Sequence, residues 1–237
     1  MKTPNIRREL MPIVVPPPAL VRATPPRTER LSADEARRIA RAIRPSLHEY
    51  AARYERRKYW PSVYNSVLRQ FGRGDRVPKD AIRDALMWKW GHLGKPTIPS
   101  AHRALIIDIQ NAWSEAVADL PLAPSDAFAV LNQRFGPKRF VTIAFLLHLV
   151  RPADVPIVDQ HNFRAVNWFM REVRPGWRMK GMPTRYRDLE TVSTFMASVL
   201  IAWRQCMPVS VPTRRRLDRF LMMYGKALKV SERQRRS

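Results

Sequence analysis

The sequence predicts an all-α protein, and three observations carry that reading. Apolar residues recur at helical spacing through most of the chain, and no segment alternates with a period of two over useful length. Hydrophobic residues make up 45% of the 237 residues while glycines number only 8, as a packed, helix-rich body requires. The 21 prolines gather at the ends and at junctions, where they punctuate helices. The expected organisation is a Pro-rich basic arm over residues 1–30, one compact multi-helix domain over 31–230, and a basic tail over 231–237. The domain is open to division into two helical lobes around a cleft.

Each element follows from local signals. Pro16-Pro17-Pro18 and Pro25-Pro26-Arg27 make the arm extended or disordered. Ser32-Ala33-Asp34-Glu35 is a capping box that opens a helix from Ala33 to about Ile43. Pro45 breaks it, and a second helix runs from Ser46 to about Tyr59, carrying Tyr50 and Tyr54. After the Tyr59-Trp60-Pro61-Ser62 junction, Val63 to Phe71 forms a short helix and Gly72-Arg73-Gly74-Asp75 a turn. Pro78-Lys79-Asp80 starts a helix through Trp90 with Ile82, Leu86 and Trp90 on one face. At least one of Trp88 and Trp90 should be buried.

Ser100 is expected to cap a long helix from Ala101 to Asp119, and Ser125 or Asp126 to cap Ala127 to Phe135. Phe140, Ile143, Leu147 and Val150 predict a helix from Pro137 to Val150, with Pro137 in its first turn. Asp159 opens the next helix, whose buried face is Phe163, Val166, Phe169 and Met170. Arg174-Pro175-Gly176 ends it. Leu189 to Gln205 is a strongly apolar helix. Thr213 caps the last one, with Leu217, Phe220, Leu221, Tyr224 and Leu228 facing inward. Arg214-Arg215-Arg216 opposes the helix dipole in that first turn, which hints at an anionic ligand. The tail from Ser231 is expected to be disordered.

Charge narrows the partner. A net charge of +23 attracts polyanions, so nucleic acid is the expected partner, bound less tightly as salt rises. A single cysteine, Cys206, forms no internal disulfide and holds no zinc or iron–sulfur site. His92, His102 and His148 show no metal-ligand spacing, so no metal and no cofactor is assigned. Leu10 to Val21 is apolar but interrupted by prolines, so no secretory segment is read, and no run has the length of a membrane span. The expected location is cytoplasmic, nucleoid-associated or otherwise intracellular. There is no Gly-rich phosphate loop of the NTPase kind and no Ser-His-Asp grouping.

The centre of the chain carries a resemblance. A turn ending in Gly136-Pro137-Lys138 is followed by a helix, a loop, and Val158-Asp159-Gln160-His161-Asn162-Phe163-Arg164. That order resembles the helix-hairpin-helix (HhH-GPD) DNA glycosylases, and the last segment looks like their Val-Asp-x-His-x-x-Arg. The likeness is to a divergent member without an iron–sulfur cluster: the usual Leu-Pro-Gly-(Val/Ile)-Gly hairpin reads here Leu131 to Gly136, with only the last glycine retained. It implies an enzyme that hydrolyses the N-glycosidic bond of a modified or damaged base in double-stranded DNA, in repair or against foreign DNA, acting as a monomer. Asp159 takes the catalytic aspartate's position. At a helix N-terminus the dipole favours an anion, and a carboxylate there can stabilise an oxocarbenium-like sugar.

Lys138 falls near the Schiff-base lysine of the bifunctional members, and reads either as that nucleophile or as a phosphate contact. Arg134, Arg139 and the backbone around Gly136 form the expected phosphate clamp. His161, beside the aspartate, is counted with Arg134, Gly136, Lys138 and Arg139 among the expected DNA-binding residues. The base must leave the stack, and Tyr59, Trp88, Trp90 and His92 are the candidates for its platform or wedge. Two rival readings are a non-enzymatic basic DNA-binding protein of the same fold and a basic RNA-binding or ribosome-associated protein.

Overall fold

The computed structural model describes residues 30–55, 61–136 and 139–234, and every regular element among them is helical. In chain order these are α1 (Ala33–Ile43), α2 (Leu47–Glu55), α3 (Pro61–Phe71), α4 (Lys79–Trp90), α5 (Ser100–Ala118), α6 (Pro124–Phe135), α7 (Phe140–Val150), α8 (Gln160–Val173), α9 (Tyr186–Cys206) and α10 (Arg214–Gln234). Single 3-10 turns at Gly74–Arg76 and Pro208–Ser210 bridge two of the links. None of the described helices is both long and apolar enough to cross a membrane.

The packing sorts the helices into two lobes. Helices α3 to α7 pack among themselves, while α10 lies on α8 and α2, and α1 lies on α9 and α8. The two ends of the chain therefore build one lobe and its middle builds the other. In the terminal lobe, Phe169, Phe220 and Tyr224 stack with ring centroids 5.2–6.2 Å apart, and Tyr50 meets Phe220 and Tyr224 edge-on. Such aromatic geometry adds to the burial of apolar area.

Gly225 lets α10 approach α8 at backbone distance: a Cβ there would lie 1.9 Å from the His161 carbonyl oxygen. Arg174, just past α8, binds Glu35 of α1 through two nitrogens at 2.7 Å each, and this pair with the Ser32 cap holds the Glu35 carboxyl down to about 2. In the middle lobe, Trp88 lies between Tyr64 and Phe145, with Tyr64 also stacked on His148.

Several helix ends differ from the sequence reading. The α1 capping box forms as expected. Ser100 is not a cap: extended Pro99 holds that position without a side-chain bond, and Ser100 is the first helical residue. Neither Ser125 nor Asp126 caps α6, because the helix already begins at Pro124, a proline fitting the first turn where its missing N–H has no helical partner. Helix α7 begins at Phe140, since Arg139 sits outside helical dihedrals (φ −113°, ψ 29°). Helix α10 runs through Gln234, over residues expected to be a disordered tail. The arm over 1–29, Tyr59, Pro137 and Lys138 lie outside the described residues.

Candidate active site

The site is built around the loop between α7 and α8. At its start the Arg151 guanidinium binds the backbone carbonyls of Leu120, Pro121 and Leu122. Buried His148 donates from Nδ1 to the Val155 carbonyl (2.7 Å), so its Nε2 accepts from the Tyr64 hydroxyl (2.6 Å). Burial supports that assignment, pushing the His148 imidazole down to about 4 and the Tyr64 phenol up to about 12. Arg214 donates to the carbonyls of Ala153 and Asp154, Asn162 to that of Ile157, and Lys89 to that of Val158 at 3.4 Å. Side chains from α4, α7, α8 and α10 thus hold one short loop by its carbonyls. Such support restrains the residue that follows.

That residue is Asp159. It caps α8 in extended conformation, and its Oδ1 accepts from the N–H groups of His161 (2.7 Å) and Asn162 (3.0 Å). Asn162 returns a bond from the Asp159 N–H to its own Oδ1 at 2.9 Å, closing a capping box. Both cap bonds use Oδ1, so the cap does not occupy Oδ2.

Asp159 lines a small cavity where residues of both lobes meet. Trp88 and Lys89 of α4, Tyr54 of α2, Asn162 of α8, and Asp218 and Met222 of α10 form most of the remaining wall. Its volume is about 10 Å³, close to the smallest space that holds one water. Lys89 and Asp218 keep some accessible surface, but their charged ends are deeply enclosed. Enclosure pushes the Asp218 carboxyl up to about 7, with the Asp159 charge acting in the same direction and Asn162, which donates to Asp218 Oδ1 at 3.0 Å, acting against it. For Lys89 enclosure lowers the ammonium from its usual range, opposed by the charges of Asp159 and Asp218. One anchored carboxylate, one carboxyl poised near neutrality and one enclosed amine therefore meet around a water-sized space.

The chain matches no protein-family model, no curated protein and no solved structure. What the site does is read from its geometry and from the residues that build it.

Of the residues singled out from sequence, Trp88 reaches the Asp159 cavity, where it is both wall and buried core at 3% exposure. Trp90 and His92 lie elsewhere. Trp90 stacks on His102 at 4.1 Å between centroids, His92 pairs with His102 through ring nitrogens 3.2 Å apart, and Trp90, His102 and Arg139 line a separate cleft of about 510 Å³. Arg139 binds Asp108 (3.1 Å) and the Phe135 carbonyl, and Arg134 faces Glu115 at 3.8 Å; both guanidiniums stay exposed. Gly136 adopts φ +94° between α6 and α7, a backbone that side chains rarely take.

His161 meets Asp159 through its backbone N–H and not through its ring. Burial holds that ring down to about 4, and its enclosed Nδ1 has no hydrogen-bond partner among the described residues. No group of three or more His, Cys, Asp or Glu among the described residues is placed to hold a metal ion.

Sequence reasoning singled out neither Asp218 nor Lys89. A signal existed for both. Asp218 shares a helix face with Leu221, Met222 and Gly225, and Lys89 follows Ala85 and Leu86 by one turn, so each is a charge on an apolar stripe.

Proposed function

We propose that the protein is a DNA N-glycosylase that acts on a modified base flipped out of duplex DNA. The observation that carries this reading is the anchored Asp159 carboxylate at the head of α8, facing a lobe-junction cavity together with Asp218 and Lys89. The Val-Asp-x-His-x-x-Arg likeness and the +23 net charge support it.

The chemistry follows from those groups. Breaking the C1′–N bond sends the electron pair out with the base and leaves positive charge on the sugar. The Asp159 carboxylate stabilises that cation, and water adds to C1′ while its proton passes to a carboxylate of the cavity. Lys89 and the cap bonds keep Asp159 oriented, so it meets the developing charge without reorganising. At about 10 Å³ the cavity is far smaller than a base, so entry requires the Tyr54, Trp88 and Met222 wall to part. That same small size favours the second reading, a DNA-binding protein without catalysis.

The deciding experiment compares base release from normal and modified duplexes by the wild type and by Asp159→Asn. Alkali-dependent strand breaks in the wild type, reduced at least about a hundredfold in the variant, are expected. Equal DNA binding by both proteins with no breaks from any duplex supports the binding-only reading. Breaks without alkali would add a lyase step through an amine. Borohydride trapping then separates Lys138, pointed to by the hairpin likeness, from Lys89, which lies in the cavity.

A further inference from the structure

A further cavity lies between α2 and the start of α10. Its volume is about 350 Å³, and it is lined by His48, Ala51 and Ala52 on α2 and by Thr213, Arg215, Arg216 and Arg219 along the start of α10. No carboxylate belongs to that lining among the described residues. Three guanidiniums and an imidazole therefore share one concavity whose floor is two alanines.

Each cation is held in place. Arg215 donates to Asn65 Oδ1 at 2.8 Å and its guanidinium lies 4.6 Å from the Tyr64 ring centre. The Arg219 guanidinium lies 5.5 Å from the Tyr54 ring centre. Arg216 donates to His48 Nδ1 at 2.9 Å, which leaves the proton of a neutral His48 on Nε2 and makes that atom a further donor. Enclosure and the neighbouring Arg219 charge both disfavour the cationic form of Arg215, a penalty that an entering anion removes. The first turn of α10 adds the positive end of its dipole.

We infer that this arginine-walled cavity grips a phosphodiester of the nucleic-acid strand whose nucleotide enters the Asp159 cavity. The assignment rests on the DNA reading above. Planar guanidiniums match the two non-bridging oxygens of a phosphodiester, and the cavity has room for the attached sugar. Asp218 stands between Arg215 and Arg219 in the sequence of α10, so the gripped phosphate lies within about one helical turn, roughly 5 Å, of the catalytic cavity along the helix axis. The grip positions the strand, while the Asp159 cavity acts on the base.

The test is salt-dependent binding of a fluorescein-labelled duplex containing a central tetrahydrofuran abasic-site analogue, read by anisotropy with the full-length chain. Arg216→Gln/Arg219→Gln is compared with Arg41→Gln/Arg204→Gln, which removes the same charge from exposed sites on α1 and α9. The cavity pair should weaken binding about tenfold and reduce the slope of log Kd against log salt by about one, beyond the change in the control pair. Ala52→Glu, which places a carboxylate in the cavity, should weaken binding similarly without lowering the melting temperature, so the test does not depend on the arginine variants folding.

Equal shifts in the cavity and control pairs, with Ala52→Glu binding like the wild type, would overturn the inference. Weakening confined to duplexes with a 5′-phosphate would also overturn it, since the cavity would then take a terminal monoester. Base release is scored separately: a slope change without base release leaves the phosphate grip standing and removes the glycosylase reading. Base release with an unchanged slope does the reverse.

Discussion

Asp218 makes the sharpest residue-level prediction, because an enclosed carboxyl records its surroundings in the pH dependence of stability. Its folded value of about 7 stands well above the 3.8 of an unperturbed aspartate. Between those values the folded protein keeps a proton that the unfolded chain has lost, so stability falls as pH rises through that window. Below about 4 the penalty is absent, and above about 7 it is complete. Asp218→Asn retains an oxygen to accept from Asn162 and removes the charge. It should therefore be more stable than the wild type at pH 8, by up to roughly 4 kcal/mol, and melt nearly alike at pH 4. Equal melting at both values would mean that the carboxyl is solvated in the folded state. If Asp218 also takes the proton from water, the same variant loses base release while gaining stability. The cap that Asp159 places on α8 was legible in the sequence because a cap is local, an aspartate just before an apolar helical pattern. Asp218 and Lys89 were not, because charge alone assigns a residue to solvent, and it takes the assembled wall from α2, α4, α8 and α10 to enclose them.

Among the elements, helices were read far better than their ends. Apolar periodicity depends on one face of one segment, and it placed α1, α3, α4, α5, α6, α8 and α9 within a few residues. Ends depend on single dihedrals, and at Pro99 and Pro124 a proline displaced the expected serine or aspartate cap. The crossing of α8 and α10 was also beyond a linear reading, since Gly225 matters only once its partner backbone is known. Gly225→Ala should cost about 1–3 kcal/mol, because the added Cβ forces the two helices apart at the His161 carbonyl. Thermal melting measures that cost. The displacement also tilts the head of α8, so base release should fall more than stability alone accounts for. An unchanged melting temperature would show that α10 slides past α8 without strain. The carbonyl-clamped loop before Asp159 belongs to this scale too, since it ties one helix start to three other helices.

At the scale of the whole molecule, the all-α class and the two-lobed arrangement were both expected, yet which helices share a lobe was not. Helical periodicity says that a face is buried, not against what, and the union of α1 and α2 with α8, α9 and α10 joins segments from opposite ends of the chain. This union carries a consequence for biosynthesis. Helices α1 and α2 leave the ribosome before α8 to α10, with Ile39, Ile43 and Tyr54 presenting apolar surface that those helices later cover. The middle lobe is complete once Val150 has emerged, whereas the first helices wait for nearly all the rest. Brief proteolysis of stalled nascent chains that expose residues through Val150 should cut at the arginines of α1 while sparing α4 and α5. Chains that expose α10 should resist at both places. Those apolar faces therefore stay uncovered until α8 to α10 have emerged, and a slow stretch of translation after Val150 would lengthen that exposure.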